Sequence, residues 1–143
     1  MNSGFEYLEH TSDVLVRAYG ANLEEAFEQA AMALMGILIQ NLQCVSPTLK
    51  RCFNVVGNSL EELLYKYLEE FLFIFDTERV IFSKFEIKIW KDESTFEAEI
   101  KAYGEKFDPL KHRPGIEVKA ITYHMMDITQ REGLTEVLVL FDI

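Results

Sequence analysis

Three carboxyl groups at the two ends of the sequence could together bind a metal ion. Asp13 follows the polar run HTS at positions 10–12, and Asp142 and Ile143 end the sequence with a side-chain carboxylate and an α-carboxylate. Carboxylate oxygens suit Ca²⁺, Mg²⁺ or Mn²⁺ better than zinc. If the fold brings these ends together, we expect an oxygen-only cation site. The alternative is a simple turn at 10–13, where Asp and Ser bond to their own backbone, and a solvated chain end.

The other polar residues do not indicate nucleophilic catalysis. Ser12, Asp13 and His10 are close in sequence, but neighbours on a strand point to opposite faces, so they are not a Ser-His-Asp triad. The sequence contains no glycine-rich phosphate loop and no GxSxG motif. We expect each of the scattered histidines to be structural or solvent-exposed; they are His10, His112 and His124. Three carboxylates could support metal-dependent phosphoester hydrolysis, but few acid or base groups accompany them.

The densest basic cluster lies in the segment 104–115, which holds two of the three prolines and which we predict to be a loop. Loops of this length inside a compact domain are often functional. A phosphate or an acidic partner could dock on the basic residues in and around this loop, although ordinary solvated surface is the alternative. These residues are Lys101, Lys106, Lys111, His112, Arg113 and Lys119.

The composition predicts one soluble globular domain over residues 1–143. Hydrophobic residues make up 49% and charged residues 27% of the 143 positions, which is typical of a folded domain. The formal net charge of −10 disfavours autonomous nucleic-acid binding, because affinity for phosphates comes largely from Lys and Arg. It also favours association with a basic protein partner, while a local basic patch remains compatible with it.

The N-terminal sequence and the cysteines are typical of a cytosolic protein. The sequence starts without a basic, apolar leader and has no apolar run of about 18 residues, so we expect neither a signal peptide nor a membrane span. Cys44 and Cys52 show no metal-binding spacing. We expect them to be reduced thiols that are buried or half-buried.

Apolar spacing predicts two helices and, after an aromatic first strand that contains Phe5 and Tyr7, six further strands. The helices are expected at 22–38 and 60–75, with Asn22 and Ser59 as caps and a glutamate three residues after each cap. The bulky apolar stripe of the second helix predicts the main core. The last strand is apolar on both faces, so we expect it to be central. The six further strands, of which the third and fourth should form a hairpin, are expected at 14–19, 49–56, 80–90, 95–103, 116–123 and 136–141.

One segment is repeated inside the chain. GANLEEAF at 20–27 matches GNSLEELL at 57–64, which lies 37 residues later. We interpret this as one strand–turn–helix unit used twice, with two helices packed on a mainly antiparallel sheet in an α+β fold. The glycine that opens each copy is expected to need a positive φ. Convergence on favourable capping sequences is the alternative.

Several motifs, in order along nearly the whole chain, resemble those of one known family. They include YLEHTSD at 7–13, EVKAITY at 117–123 and the final Asp142-Ile143. In this combination the sequence resembles the archease family, whose early motif reads E/D-H-T-A-D, with Ser12 here in place of the usual alanine. Further matching positions are LEEAF at 23–27, LLY at 63–65, Gly104-Glu105, Asp108 and His112.

The resemblance implies a non-catalytic helper protein. Its expected partner is the RtcB-type tRNA ligase, which joins 2′,3′-cyclic-phosphate and 5′-hydroxyl RNA ends with GTP and Mn²⁺ through a guanylated histidine. The helper would promote formation of the guanylated ligase and multiple turnover in tRNA splicing or RNA repair. A role as a chaperone or specificity factor for a tRNA-modifying methyltransferase is the alternative function.

The resemblance also implies a fold and a set of site residues. Position by position, the metal ligands would be Asp13, Asp142 and Ile143, holding a divalent cation, with Ca²⁺ expected and Mg²⁺ or Mn²⁺ as alternatives. Lys119 of EVKAITY matches a lysine that the family needs, and we assign Lys119 and His10 to partner activation. The implied fold is one strand–helix–strand–strand module inserted into another, which agrees with the internal repeat.

Overall fold

The computed structural model describes residues 3–8 and 12–143. Within this part of the chain, strands form two antiparallel sheets and two long helices pack against them. In order, the elements are β1 (Gly4–Leu8), β2 (Asp13–Gly20), α1 (Leu23–Leu38), a 3₁₀ turn (Leu42–Cys44), β3 (Leu49–Gly57), α2 (Leu60–Glu78), β4 (Val80–Asp92), β5 (Thr95–Lys106), α3 (Pro109–His112), β6 (Ala120–Arg131) and β7 (Leu134–Asp142).

The topology is a duplicated module, with one copy inserted into the other. One sheet has the order β1-β2-β7-β6 and the other the order β3-β5-β4. The module β3–α2–β4–β5 lies between α1 and β6 of the outer module β2–α1–β6–β7. In both modules the first strand pairs with the last strand, and the second strand, β6 or β4, pairs with the other side of that last strand. The α+β prediction is confirmed, with the antiparallel strands divided between two sheets, and β7 is central as expected.

The two helices begin with the same capping arrangement, as the repeat predicts. The Asn22 side chain accepts a hydrogen bond from the Glu25 N–H at 2.9 Å, and the Glu25 carboxylate accepts one from the N–H of the residue before the cap at 2.9 Å. Ser59 and Glu62 form the corresponding two bonds at 3.1 and 2.6 Å. These bonds satisfy N–H groups that have no partner inside the helix.

The repeated glycines are needed for close approach and not for an unusual backbone angle. The expectation of a positive φ at Gly20 and Gly57 is wrong, since Gly133 is the only glycine of the described residues with one. A Cβ at Gly57 would lie 2.7 Å from the backbone nitrogen of Leu63, and a Cβ at Gly20 would collide with Glu25. Each strand therefore ends directly against the first turn of its helix, where a side chain has no room.

Both modules share one hydrophobic core. α1 packs mainly on β2 of its own module and on β4 of the inserted module, while α2 packs mainly on β6 of the outer module and on β3 of its own. Tyr67 and Phe71 of α2 are fully buried, as the apolar stripe predicted. The Tyr67 hydroxyl donates to the carbonyl of Phe27 in α1 at 2.7 Å. This bond satisfies a buried polar group and joins the helices of the two modules.

The segment before β6 differs from the prediction of a strand at 116–123. β6 begins only at Ala120, because the N–H groups of Gly115 and Ile116 donate to the carbonyls of Leu38 and Ile37 at the end of α1, each at 2.8 Å. The predicted loop at 104–115 is also partly regular, since β5 continues to residue 106 and α3 follows it. α2 runs three residues beyond the predicted end at residue 75.

Cys44 and Cys52 are free thiols, but both are exposed, so the expectation of burial is wrong. Cys52 lies at an outward position of β3, where exposed and less exposed residues alternate. None of the described helices is long and apolar enough to cross a membrane.

Replacing Gly104 with alanine should destabilise the fold strongly. Gly104 lies opposite Phe82 at the bulge of β4, and a Cβ there would collide with the backbone of Ile81. We expect a loss of about 2–4 kcal/mol in the free energy of unfolding, measured by urea denaturation. Gly133→Asn is the matched control, because Gly133 has a φ of +76° and open space around it, and asparagine tolerates this conformation. Equal stability of the two variants would contradict the steric argument.

Candidate functional site

The register of the outer sheet brings the two ends of the chain together. Asp13 is the first residue of β2 and lies directly opposite Asp142, the last residue of β7. Asp142 in turn lies opposite Ala120, the first residue of β6. Directly opposed residues on antiparallel strands point to the same face, with Cβ atoms about 4.5–5.5 Å apart. The two carboxylates are therefore neighbours at one end of the sheet, which we call the acidic tip (Asp13, Asp142 and Ile143).

Ile143 holds the end of β7 in place. Its side chain is half-buried and packs against the hydrophobic core. Because strand residues alternate between faces, this side chain leaves on the opposite side from Asp142. The backbone that follows Asp142 is therefore anchored at this end of the sheet.

Lys119 lies beside the acidic tip through its backbone. Its N–H donates to the carbonyl of Asp142 at 2.7 Å, immediately before β6 begins. The Lys119 side chain is exposed and, within the described residues, has no carboxylate within 4 Å. Of the predicted site residues, the structure thus brings together Asp13, Asp142, Ile143 and Lys119. His10 lies outside the described residues.

The acidic tip has the ligand chemistry of a hard cation site. Two like charges directly opposite each other on a sheet destabilise it unless a cation compensates them. Among the side chains of residues 3–8 and 12–143, no three His, Cys, Asp or Glu residues form a group that could hold a metal. The described side chains of the tip supply two carboxylates, and the α-carboxylate of Ile143 would be the third. Ca²⁺ takes six to eight oxygens, so other ligands must complete the set.

An apolar groove lies at the same end of the outer sheet as the tip, on the face that α1 covers, to which Val14 points and from which Asp13 points away. It has a volume of about 420 Å³ and is open to solvent, and Tyr7 and Ile116 on its rim are 46% and 53% exposed. The Tyr7 hydroxyl donates to the carbonyl of Ala33 at 2.9 Å, and burial raises the pKa of Tyr7 to about 12. Sequence reasoning missed this groove because four separate segments build it. It is lined by Tyr7, Val14, Gly36, Ile37, Ile39, Gln40, Gly115 and Ile116.

A buried histidine anchors the segment that leads to Lys119. His112 is fully buried, and its Nε2 lies 2.7 Å from the Glu105 carboxylate. Its Nδ1 accepts a hydrogen bond from the Asp108 N–H at 2.9 Å. Since Nδ1 is an acceptor, Nε2 carries the ring proton and donates a hydrogen bond to the Glu105 carboxylate. The structural role expected of His112 is confirmed, and His124 is exposed as expected.

Glu105 remains charged because several donors converge on it. Burial raises the pKa of its carboxyl group, but hydrogen bonds from Lys111, from the Ser46 N–H and from His112 outweigh this effect. The pKa is held at about 2, below the ordinary value of 4.5. Lys111 also forms an ion pair with Glu105 at 2.8 Å. These contacts tie the connection between β5 and β6 to the connection between α1 and β3.

The basic residues predicted as one docking place do not gather in one place. Lys111 and His112 are engaged with Glu105. The Lys106 ammonium group donates to a backbone carbonyl at the end of α2 at 3.0 Å. Lys101 lies on the central strand of the other sheet, and Lys119 lies at the acidic tip.

Comparison with known proteins identifies the family. Residues 5–143 match the model of the archease protein family (MTH1598/TM1083). The chain belongs to the archease family. A Pyrococcus abyssi protein named archease is 50% identical over 124 residues, which are 87% of each chain. An archease-like protein of Drosophila melanogaster is 42% identical over 144 residues, covering 97% of this chain and 90% of the fly protein.

Two solved structures share the archease fold. The solution structure of Methanobacterium thermoautotrophicum protein 1598 has a TM-score of 0.85 and 37% sequence identity, and the alignment covers 98% of this chain and 99% of that one. The crystal structure of a Thermotoga maritima protein, described as an archease and possible chaperone, has a TM-score of 0.61. At 18% identity over 95% of this chain and 94% of that one, it supports the fold alone.

Replacing Glu105 with glutamine should lower stability in a pH-dependent way. The depressed pKa means that the charged carboxylate stabilises the fold above pH 4.5, and this contribution is lost as the pH falls toward 2. We expect Glu105→Gln to cost about 2 kcal/mol at neutral pH, with the difference from wild type shrinking in acid. Urea denaturation at several pH values measures this. Glu132→Gln, in the exposed β6–β7 turn, should match wild type throughout, and a pH-independent cost at Glu105 would contradict the charge argument.

Proposed function

We propose that this archease-family chain is a non-catalytic activator of an RtcB-type RNA ligase. It would promote guanylylation of the ligase and allow multiple turnover in tRNA splicing or RNA repair. Membership of the archease family is the observation that carries the proposal. The acidic tip also supports the proposal. The family resemblance assigns the metal-binding residues to it, and the pairing of β2 with β7 holds two of them side by side.

Charge supports a basic enzyme as the partner. The chain has a net charge of −10, and an RNA ligase must present a basic surface to its substrate. Complementary charge speeds the encounter of two proteins and orients them, while it contributes less to the final affinity. An acidic helper also avoids competing strongly for the RNA itself.

Each residue of the tip has a proposed role. Asp13 and Asp142, with the carboxylate of Ile143, would hold a divalent cation, with Ca²⁺ expected and Mg²⁺ or Mn²⁺ as alternatives. When bound, the cation would supply positive charge that neutralises the opposed carboxylates and can attract anionic groups. Lys119, whose backbone bonds to Asp142 and whose side chain is exposed, would contact a phosphate or a carboxylate of the partner. His10 is proposed as a further contact from the same motif.

The groove next to the tip suits an apolar anchor from the partner. Val14 follows Asp13 directly and lines the groove from the opposite face of β2, so a partner that wraps around this end of the sheet would reach both the tip and the groove. Exposed aromatic and aliphatic side chains around a pocket are typical of the residues that dominate binding energy at interfaces. The chain's own contribution to activation would then be to bind the partner, to orient it and to exclude water at this end of the sheet.

A chaperone or specificity factor for a tRNA-modifying methyltransferase is the second candidate. The Thermotoga maritima protein with the same fold is described as a possible chaperone, and this candidate would give that description a specific partner. It predicts that the solubility or specificity of the methyltransferase changes when this protein is added, while ligase turnover does not. Measuring ligase turnover and methyltransferase solubility or specificity with the same preparation of this protein therefore separates the two functions.

Asp13→Ala and Asp142→Ala should each abolish multiple turnover of the ligase. The measurement mixes substoichiometric RtcB-type ligase with cleaved RNA, GTP and Mn²⁺, and counts ligations per ligase with and without this protein. Wild type should support many turnovers, and either variant about one, since each removes half of the opposed carboxylate pair. Asp92→Ala, at the remote β4–β5 hairpin, should behave as wild type. No effect of the wild-type protein would remove the ligase proposal.

A short extension after Ile143 should impair activation without unfolding the protein. It converts the α-carboxylate into a neutral peptide bond, while the Ile143 side chain keeps its packing against the core. We expect an unchanged unfolding midpoint and a loss of turnover comparable to that of Asp142→Ala. An extension of equal length at the N-terminus is the control. Full activation by the C-terminally extended protein would exclude a role for the carboxylate of Ile143.

A further inference from the structure

The outer face of the β3-β5-β4 sheet carries a basic and aromatic row that the acidic tip does not explain. Lys50 of β3 and Lys84 of β4 both lie directly opposite Tyr103 of the central strand β5. Their ammonium groups lie 5.8 and 5.0 Å from the centre of the Tyr103 ring. We call these three residues the Lys-Tyr-Lys row. The residues of β3 and β4 beside Lys50 and Lys84 that point to this face are exposed, so none of the described helices covers it.

The row and its immediate neighbours carry more ammonium groups than carboxylates. Within the described part of the chain, neither Lys50 nor Lys84 has a carboxylate within 4 Å. Lys101 adds a third ammonium group two residues before Tyr103 on β5, where it lies opposite Glu86. The Glu86 carboxylate accepts a hydrogen bond from the Tyr103 hydroxyl at 3.2 Å. The row is therefore a locally cationic place on a protein whose net charge is −10.

We propose that the Lys-Tyr-Lys row binds a short segment of single-stranded RNA. β3 and β4 flank β5, so they lie about 10 Å apart. Both ammonium groups lie over the Tyr103 ring in this structure. An RNA strand crossing the sheet would draw one of them to each of two phosphates, and a base would take their place on the ring. Stacking of bases on aromatic side chains tolerates any sequence because every base has a π-face. A row of lysines alone fits any polyanion, and the central aromatic ring is what favours RNA over an acidic peptide.

The small footprint makes the binding weak and sensitive to salt. Each phosphate contact on a single strand changes the logarithm of the affinity by about −0.7 per logarithmic unit of salt. Two contacts should therefore give a slope of about −1.4. This agrees with the expectation from net charge that autonomous binding is not strong. The inference does not depend on the ligase proposal, since the row and the acidic tip lie on different sheets.

The test measures binding of a fluorescein-labelled oligouridylate of about ten nucleotides by fluorescence anisotropy at low salt. The variant Lys50→Glu/Lys84→Glu should bind about tenfold or more weakly than wild type. The control Lys66→Glu/Lys91→Glu changes the net charge by the same amount but lies on α2 and at the end of β4. It should stay within about twofold of wild type. Equal weakening by both double variants would overturn the proposal, because it would reflect net charge alone.

A second pair of variants tests the aromatic ring. Tyr103→Leu should weaken binding about tenfold, whereas Tyr103→Phe keeps the ring and should bind nearly as wild type. Unfolding midpoints of all variants establish that they fold. Unlabelled polyglutamate is the competitor that represents an acidic protein segment. The proposal is overturned if wild type does not bind the oligouridylate at low salt, if Tyr103→Leu binds unchanged, or if polyglutamate displaces the RNA as well as unlabelled oligouridylate does.

Discussion

The antiparallel pairing of β2 with β7 is the constraint on which the rest of the molecule depends. It joins residues 13–20 to residues 135–142, almost the two ends of the chain, in an unbroken register. The register is fixed by burial, because Val16 lies opposite Val139 and Ala18 opposite Val137, and all four side chains are fully buried. A slip by one residue would turn these side chains toward solvent. The opposition of Asp13 and Asp142 therefore follows from core packing further along the same strands.

The chain enters the inserted module and returns from it at the same place in the outer module. Backbone hydrogen bonds connect residues 37–41 with residues 112–116, including Gln40 N–H to the Arg113 carbonyl at 2.8 Å. The contact between His112 and Glu105 lies next to these hydrogen bonds. The His112 side chain is fully buried, and the Glu105 side chain is largely buried. The returning segment then runs directly to Lys119. The anchor of the insertion and the position of Lys119 at the acidic tip are thus parts of one backbone path.

Local signals made the helices, their caps and the β4–β5 hairpin predictable, because each depends on residues close in sequence. The tip residues were predicted from their hard oxygen chemistry and from the family resemblance, and the β2–β7 register brings them together. The start of β6 was not predictable, since the backbone before Ala120 bonds to carbonyls of α1 that are distant in sequence. The apolar groove and the Lys-Tyr-Lys row were also missed, because strand pairing and not spacing creates them.

Net charge describes the whole chain but not its individual surfaces. Exposed charges more than about 10 Å apart are largely screened at physiological salt. The Lys-Tyr-Lys row therefore presents a local positive charge to a ligand, although carboxylates outnumber basic residues in the chain as a whole. The acidic tip lies on the other sheet and presents the opposite charge. A protein that is acidic on average can in this way offer one surface to a basic enzyme and another to an anionic ligand, without the two surfaces competing.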